Sequence, residues 1–262
     1  MLSTHGINVS YGKTQVVFDV SFDVKSNENL CILGPNGCGK TTLLKAIAGI
    51  LPHEGATTID GEDTRDMRRR EVARRIALMS QTAGVYFSYT VFDAVMMGRY
   101  LHIRDGIFGS PSSHDRDFVA ECLGSVGLLD VAKKEISQLS GGQLQRVFFA
   151  RTLAQEPQVI LLDEPTNHLD MKYQIELIEY LREWSRQGEH SVVGVLHDIN
   201  LAMRLSERLL IMDEGRTAAL GAAGAEVTSE LLRDVYGVDV VGFMRESLGK
   251  WEGIGARDIS KP

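Results

Sequence analysis

The sequence predicts an α/β domain with a mainly parallel sheet, antiparallel strands near its amino-terminal end and an inserted helical subdomain. Two apolar runs, VILLD at 159–163 and SVVGVL at 191–196, are typical of parallel strands covered on both faces. Residues 7–24 alternate between apolar and polar side chains, which favours half-buried antiparallel strands. Helical periodicity dominates residues 82–156, which indicates a helical subdomain inserted into the core.

Length and composition limit the kind of protein. A chain of 262 residues with 44% hydrophobic and 24% charged residues is typical of one globular domain with an attached subdomain. The net charge of −7 argues against broad nucleic-acid binding, which depends on neutralising phosphates. We interpret the basic run at 65–75 as a solvated helix face. The three cysteines favour a reducing compartment without disulfides.

Neither a secretion signal nor a membrane span is expected. The first residues lack the basic stretch and apolar core of a signal peptide. No apolar run approaches the length of about 18 residues that a spanning helix needs. If the chain acts at a membrane, we expect a partner to hold it there.

The other elements follow from turn and periodicity signals. Further strands are predicted at 29–33, at 57–63 and in a hairpin at 208–221. Helices are predicted at 41–51, 90–101, 116–129, after LSGGQ and at 172–187, with a Gly/Ser/Pro-containing loop at 104–115. The domain is expected to cover residues 1–240, with the helical subdomain at about 82–156 and a short polar tail at 241–262.

The segment GPNGCGKTT at 34–42 matches the phosphate-binding pattern G-x-x-x-x-G-K-[ST], between a predicted strand and a predicted helix. Its glycines let backbone N–H groups surround phosphates, and the helix start adds partial positive charge. We expect Lys40 to reach the β- and γ-phosphates and Thr41 to ligate Mg²⁺. This predicts a P-loop NTPase core with the nucleotide-binding residues Gly34, Pro35, Asn36, Gly37, Cys38, Gly39, Lys40, Thr41 and Thr42.

Polar residues end two other apolar strands, and ligands of open α/β sheets bind at such carboxyl ends. Asp163 ends one strand and could hold Mg²⁺, directly or through water. The adjacent Glu164 could polarise an attacking water as general base. His197 follows a strand that we expect to lie beside the Asp163 strand, from which it could contact the γ-phosphate.

The segment LSGGQ at 139–143 predicts a second helix start with anion-binding properties. Ser140 is a good N-cap, and the two glycines admit close backbone approach to a phosphate. Taken alone, the pattern favours a capped helix after a flexible turn.

Together these motifs resemble those of the ATP-binding cassette (ABC) ATPases, the motor subunits of ABC transporters. The resemblance covers roughly residues 1–225 and follows the order of motifs in the family. The motifs are Tyr11 before the core, the phosphate loop, Gln81 after IALMS, LSGGQ, ILLDEP, the NHLD turn at 167–170 and His197.

The resemblance implies a head-to-tail dimer in which each ATP lies between the phosphate loop of one copy and LSGGQ of the other. Tyr11 would stack on adenine, and Asp170 would reach across the dimer. The residues implied to bind the second copy's nucleotide are Ser140, Gly141, Gly142 and Gln143. The implied catalytic residues are Lys40, Gln81, Glu164 and His197, and the implied Mg²⁺ ligands are Thr41, Gln81 and Asp163.

Weaker similarities, such as LHDINLAMRLSERLLIMDEGR and LLRDVYGVDV, point to the ATPases of type II importers. Those importers take up iron–siderophore complexes, haem or cobalamin. The resemblance implies peripheral attachment to the cytoplasmic face of the cell membrane through permease subunits, with a separate extracytoplasmic binding protein. We expect Tyr86, Phe87 and Tyr89 to contact the permease.

Other functions stay open at this point. A soluble single-cassette assembly factor, of the iron–sulfur type for example, or an exporter motor would share the same motifs. A nucleic-acid or ribosome-directed relative is disfavoured by the single cassette and the acidic charge, and a P-loop kinase would not need LSGGQ. The thiol of Cys38 is expected beside the nucleotide, which predicts inhibition by alkylating reagents and protection by ATP.

Overall fold

The computed structural model describes residues 1–80, 89–103, 109–167 and 169–255. The strands are β1 Leu2–Tyr11, β2 Thr14–Val24, β3 Asn29–Leu33, β4 Glu54–Ile59, β5 Glu62–Asp63, β6 Ile76–Met79, β7 Val159–Asp163, β8 Ser191–Val195, β9 Arg208–Asp213 and β10 Arg216–Ala222. The α-helices are α1 Lys40–Ile47, α2 Arg69–Arg75, α3 Val91–Met96, α4 Ser113–Ser125, α5 Gly141–Ala154, α6 Met171–Arg186, α7 Ile199–Leu205, α8 Ser229–Tyr236 and α9 Val240–Gly255. Among the described helices, none combines the length and apolar character needed to cross a membrane.

Six strands form the central sheet in the order β10-β9-β3-β8-β7-β6. The strands from β9 to β6 run parallel to their neighbours, and β10 is antiparallel to β9. Every residue of β7 and β8 is buried, as their unbroken apolar sequence predicted. The predicted adjacency of the strands that lead to Asp163 and His197 is confirmed.

A second, antiparallel sheet has the order β2-β1-β4-β5. Its longest strands, β1 and β2, alternate largely between buried and more exposed residues, as their sequence pattern predicted. The backbone N–H of Phe18 donates to the carbonyl of Gly215 over 2.8 Å. This bond fixes β2 to the turn between β9 and β10. The antiparallel sheet therefore meets the central sheet at that turn.

The central sheet separates two hydrophobic clusters, and alternate residues of β3 enter each of them. Leu30 and Ile32 pack with the antiparallel sheet and α1, whereas Cys31 and Leu33 pack with the helices of the other face. The sheet is therefore a middle layer, and both of its faces are covered.

The predicted helical subdomain contains α3, α4 and α5, which pack on one another. Helix α4 begins at Ser113, inside the segment that we predicted as a loop over 104–115. The Ser112 side chain accepts from the Asp115 N–H over 3.1 Å, and the Asp115 carboxylate accepts from the Ser112 N–H over 2.9 Å. Such a capping box has the same polar composition as a loop, which explains the shifted boundary.

The carboxyl-terminal region also differs from the prediction. Residues 240–255 form α9, where the sequence predicted only a short polar tail from residue 241. Strand β6 and helices α7 and α8 were not predicted either. Each of them has at most eight residues, and such short elements depend on packing against their neighbours.

A buried ion pair stabilises the helical subdomain. Arg99 is 2% exposed; its Nε donates to Asp115 over 3.0 Å, and its Nη1 donates to Glu156 and to the Ala154 carbonyl. Burial raises the pKa of Asp115, but hydrogen bonds from Ser112 and Arg99 outweigh burial and hold the pKa at about 2. The carboxylate is therefore charged at neutral pH and needs the guanidinium.

We predict that Arg99→Met destabilises the protein by about 3–5 kcal/mol, because it leaves Asp115 charged, buried and unpaired. The free energy of unfolding in urea measures this effect. Arg204→Met is the matched control, since the Arg204–Glu179 pair is exposed and should contribute under about 1 kcal/mol. Equal losses in the two variants would contradict the prediction.

Candidate active site

The phosphate loop connects the carboxyl end of β3 to α1. Gly34 has φ 148°, and a Cβ there would lie 2.1 Å from the Met212 carbonyl oxygen of β9. Gly39 has φ 95°, and its Cβ would lie 3.0 Å from the Val16 carbonyl oxygen of β2. Gly39 also begins α1 without any side-chain cap, so no side chain satisfies the N–H groups of the first turn. This uncapped helix start fits a phosphate group.

Lys40 lies inside the loop and is 5% exposed. Its Nζ donates to the carbonyl oxygens of Gly34 and Pro35, each over 2.7 Å. The backbone of the loop thus holds the Lys40 ammonium group in place, at the position where the sequence predicted a phosphate contact.

Thr41 and Asp163 meet although they lie far apart in the sequence. The Thr41 Oγ1 donates to Asp163 Oδ1 over 2.8 Å. Burial raises the pKa of the Asp163 carboxyl, and the bond from Thr41 acts in the opposite direction. Two neighbouring oxygen donors beside a phosphate loop fit Mg²⁺, which prefers oxygen ligands.

Glu164 follows β7 in a left-handed backbone conformation with φ 54°, and its backbone N–H donates to the Val195 carbonyl over 3.0 Å. Its Oε1 lies 2.6 Å from the Nε2 of His197, and its Oε2 accepts from the Nδ2 of Asn167 over 2.6 Å. Both carboxylate oxygens are therefore held. The sequence predicted Glu164 and His197 but missed the role of Asn167, whose position three residues after Glu164 was the available signal.

LSGGQ forms the start of α5. Ser140 and Gln143 make a reciprocal capping box. The Ser140 N–H donates to Gln143 Oε1 over 3.1 Å, and the Gln143 N–H donates to Ser140 Oγ over 3.2 Å. Gly141 and Gly142 are the first residues of the helix. In the described part of the chain, Ser140 bonds to Gln143 and accepts at its carbonyl from the Leu144 N–H over 2.9 Å, and none of these bonds reaches the phosphate loop. Gln145, one turn further on, donates to the Pro165 carbonyl over 3.1 Å and so connects α5 to the Glu164 turn.

The other predicted residues lie at the edges of this arrangement or outside the described residues. Tyr11 is half exposed at the end of β1, paired with Thr14. Asp170 caps α6 by accepting from the Tyr173 N–H over 3.1 Å. Tyr89 is 39% exposed. Gln81, Tyr86 and Phe87 lie outside the described residues.

The thiol of Cys38 is more enclosed than its loop position suggested. The side chain is 6% exposed, and burial raises its pKa, although the neighbouring Lys40 acts in the opposite direction. A buried thiol with a raised pKa reacts slowly with alkylating reagents. The expected inhibition through Cys38 therefore requires the loop to open first.

All three cysteines, Cys31, Cys38 and Cys122, are free and buried. We predict that the native protein reacts slowly with a disulfide reagent such as DTNB, and that three thiols per chain react at once in guanidinium chloride. Rapid reaction of one native thiol that is lost in Cys38→Ser would contradict the buried position of Cys38.

The central sheet is mainly parallel, and a glycine-rich loop that leads into an uncapped helix follows one of its strands. An acidic residue ends the strand that lies two positions away in the sheet. Together these features define a nucleotide-binding P-loop fold. The profile of the ABC transporter family matches residues 17–167. The chain belongs to this family, and it is an ABC-type ATPase.

Known proteins support this assignment. The ferric enterobactin transport ATP-binding protein FepC of Escherichia coli is 37% identical over 233 residues, covering 88% of this chain and 85% of FepC. A solved chain of a metal-chelate type ABC transporter in an inward-facing conformation aligns with a TM-score of 0.78 and 30% identity, covering 91% of this chain and 89% of its own length. The dimeric bacterial ABC cassette MJ0796 aligns with a TM-score of 0.76 and 30% identity over 85% of this chain and 98% of its own.

Proposed function

We propose that the chain is the ATP-hydrolysing subunit of a multi-subunit importer that takes up a metal chelate of the iron–siderophore, haem or cobalamin type. Two copies close head-to-tail around two MgATP, and a separate membrane permease binds them. The similarity to FepC and to a metal-chelate transporter chain supports the transport role. The observation that carries the hydrolytic role is Glu164, held by His197 and Asn167 beside the Thr41–Asp163 pair.

The hydrolytic step depends on this chain's polar groups. Lys40 and the N–H groups of the loop bind the β- and γ-phosphates, while Tyr11 stacks on adenine. Thr41, Asp163 and Gln81 would hold Mg²⁺, which would neutralise charge on the phosphate oxygens. Glu164 accepts a proton from the attacking water. The oxygen of that water bonds to the γ-phosphorus while the bond between the γ-phosphorus and ADP breaks. His197 keeps the Glu164 carboxylate oriented and contacts the γ-phosphate.

The dimer accounts for the second helix start, at LSGGQ. Ser140 is exposed, and the N–H groups of Gly141 and Gly142 lie at the open end of α5. In the dimer these groups and Gln143 contact the γ-phosphate bound by the second copy. Asp170 reaches the same interface. The dimeric structure of MJ0796 supports the formation of a dimer.

We predict that Glu164→Gln lowers the ATPase kcat by roughly 10²–10⁴-fold, because the amide cannot accept the proton. The variant keeps the shape of the side chain and should still dimerise with MgATP, as measured by light scattering during gel filtration. Glu176→Gln, an exposed glutamate on α6, is the control and should hydrolyse ATP at the wild-type rate. Wild-type turnover by Glu164→Gln would overturn the assignment of the base.

We predict that the tagged chain co-purifies with a polytopic membrane protein in equal amount from gently solubilised membranes of its native cells. Tyr89→Ala should weaken this association without changing ATP hydrolysis by the isolated chain, since we propose that the exposed Tyr89 contacts the permease. Recovery of soluble partners only, with the chain absent from the membrane fraction, would favour the assembly-factor alternative. Co-purification with an exporter permease would exclude uptake.

A further inference from the structure

Glu164 lies in a turn whose backbone is strained. Its φ of 54° is in the left-handed region, which a glutamate rarely adopts and which persists only where the surrounding structure enforces it. The turn continues through Pro165 and Thr166 to Asn167, whose N–H donates back to the Glu164 carbonyl over 3.3 Å. Since Asn167 Nδ2 also holds the Glu164 carboxylate, the shape of this turn determines where that carboxylate lies.

Hydrogen bonds from β8, α5 and α6 hold this turn from outside. The Glu164 N–H donates to a carbonyl of β8 over 3.0 Å. The Pro165 carbonyl accepts from Gln145 Nε2 of α5 over 3.1 Å. The Thr166 carbonyl accepts from Gln174 Nε2 of α6 over 3.2 Å. The strained conformation of Glu164 is thus enforced by elements of both the core and the helical subdomain.

Gln145 supplies the bond from the LSGGQ helix. Its side chain is 5% exposed, and its bond to the Pro165 carbonyl is buried. It lies two residues after Gln143, near the start of α5. A buried carbonyl that loses its donor is costly, so loss of this bond favours a shift of the Pro165 carbonyl towards another partner. Glu164 precedes Pro165 directly and would move with it.

A second glutamine holds the other end of α5. Gln155, the C-cap of this helix, donates through Nε2 to the Ile76 carbonyl over 3.1 Å and also to the Ala73 carbonyl. Ala73 belongs to α2, and Ile76 begins β6. The same kind of bond therefore ties each end of α5 to the core, and Gln145 marks the end beside Glu164.

We propose that Gln145 is a positioning residue for ATP hydrolysis, which holds the Pro165 carbonyl and thereby directs the Glu164 carboxylate towards the attacking water. The inference rests on the proposed role of Glu164 as the base, and it adds that the LSGGQ helix determines where this base lies. Because the base acts in the transition state, its displacement lowers kcat and kcat/KM equally and leaves KM unchanged.

The test compares Gln145→Met with Gln155→Met in the full chain. Methionine keeps the length of the unbranched side chain and removes the donor, and Gln145→Leu is a second variant of similar volume. Steady-state phosphate release gives kcat and KM, calorimetry with AMP-PNP and Mg²⁺ gives Kd, and thermal unfolding measures stability. Gln155→Met removes the same kind of bond from the same helix, so it controls for a loss of stability alone.

We expect Gln145→Met to lower kcat by roughly three- to thirtyfold, since a displaced base loses part of its contribution. Its KM and its Kd for AMP-PNP should stay within about twofold of wild type. Gln155→Met should keep a kcat close to wild type. A wild-type kcat in Gln145→Met, or an equal fall of kcat in both variants, overturns the positioning role. A rise in Kd as large as the fall in kcat also contradicts it, because the effect would then lie in nucleotide binding.

The same substitution in a Glu164→Gln background separates this inference from the proposed function. Single-turnover hydrolysis of radiolabelled ATP measures the residual rate. We expect Gln145→Met to change that rate by less than about twofold, because an amide at position 164 cannot accept the proton wherever it lies. A further fall as large as in the wild-type background would show that Gln145 acts elsewhere and overturn the positioning role. Wild-type turnover by Glu164→Gln would instead overturn the proposed base.

Discussion

The site depends on the parallel pairing of three strands, β3, β8 and β7. Ile32 lies opposite Val195, and Val195 lies opposite Asp163, so the three strands end at one level of the sheet. This register brings Gly34, Asp163 and His197 to the same edge. A shift by one residue would turn the buried side chains of a strand to the opposite face, and both faces here are packed. The hydrophobic clusters therefore fix the register, and the register fixes the geometry of the polar residues.

The second sheet contributes to the loop although none of its strands ends there. The Val16 carbonyl of β2 closes one side of Gly39, and the Met212 carbonyl of β9 closes one side of Gly34. Phe18 and Gly215 join these two strands by a backbone hydrogen bond. The loop is consequently confined by backbone atoms on both sides, and glycine is the residue that tolerates such close approach.

The helical subdomain is connected to the catalytic edge by amide side chains. Gln145 of α5 donates to the Pro165 carbonyl, one residue beyond Glu164. At the other end of the same helix, Gln155 donates to the carbonyls of Ala73 and Ile76, beside β6. A rotation of α5 would therefore act on the Glu164 turn directly. This connection is a physical route by which the LSGGQ helix and the hydrolytic residues can influence each other.

The sequence by itself determined the parts that depend on local pattern. Apolar runs predicted β7 and β8, alternation predicted β1 and β2, and glycine spacing predicted the loop with Lys40 and Thr41. The strands and the position of the loop between β3 and α1 are confirmed, because strand burial and tight glycine turns require particular residue types at short spacing. The carboxyl-terminal helices carried no comparable local signal. Asn167 shares a turn with Glu164, but Leu232 of α8 lies about 200 residues from Leu33 at the end of β3, and both are buried in one hydrophobic cluster. Only the packing of α8 on the end of β3 decides that these two residues meet, because a contact between distant segments depends on the whole core.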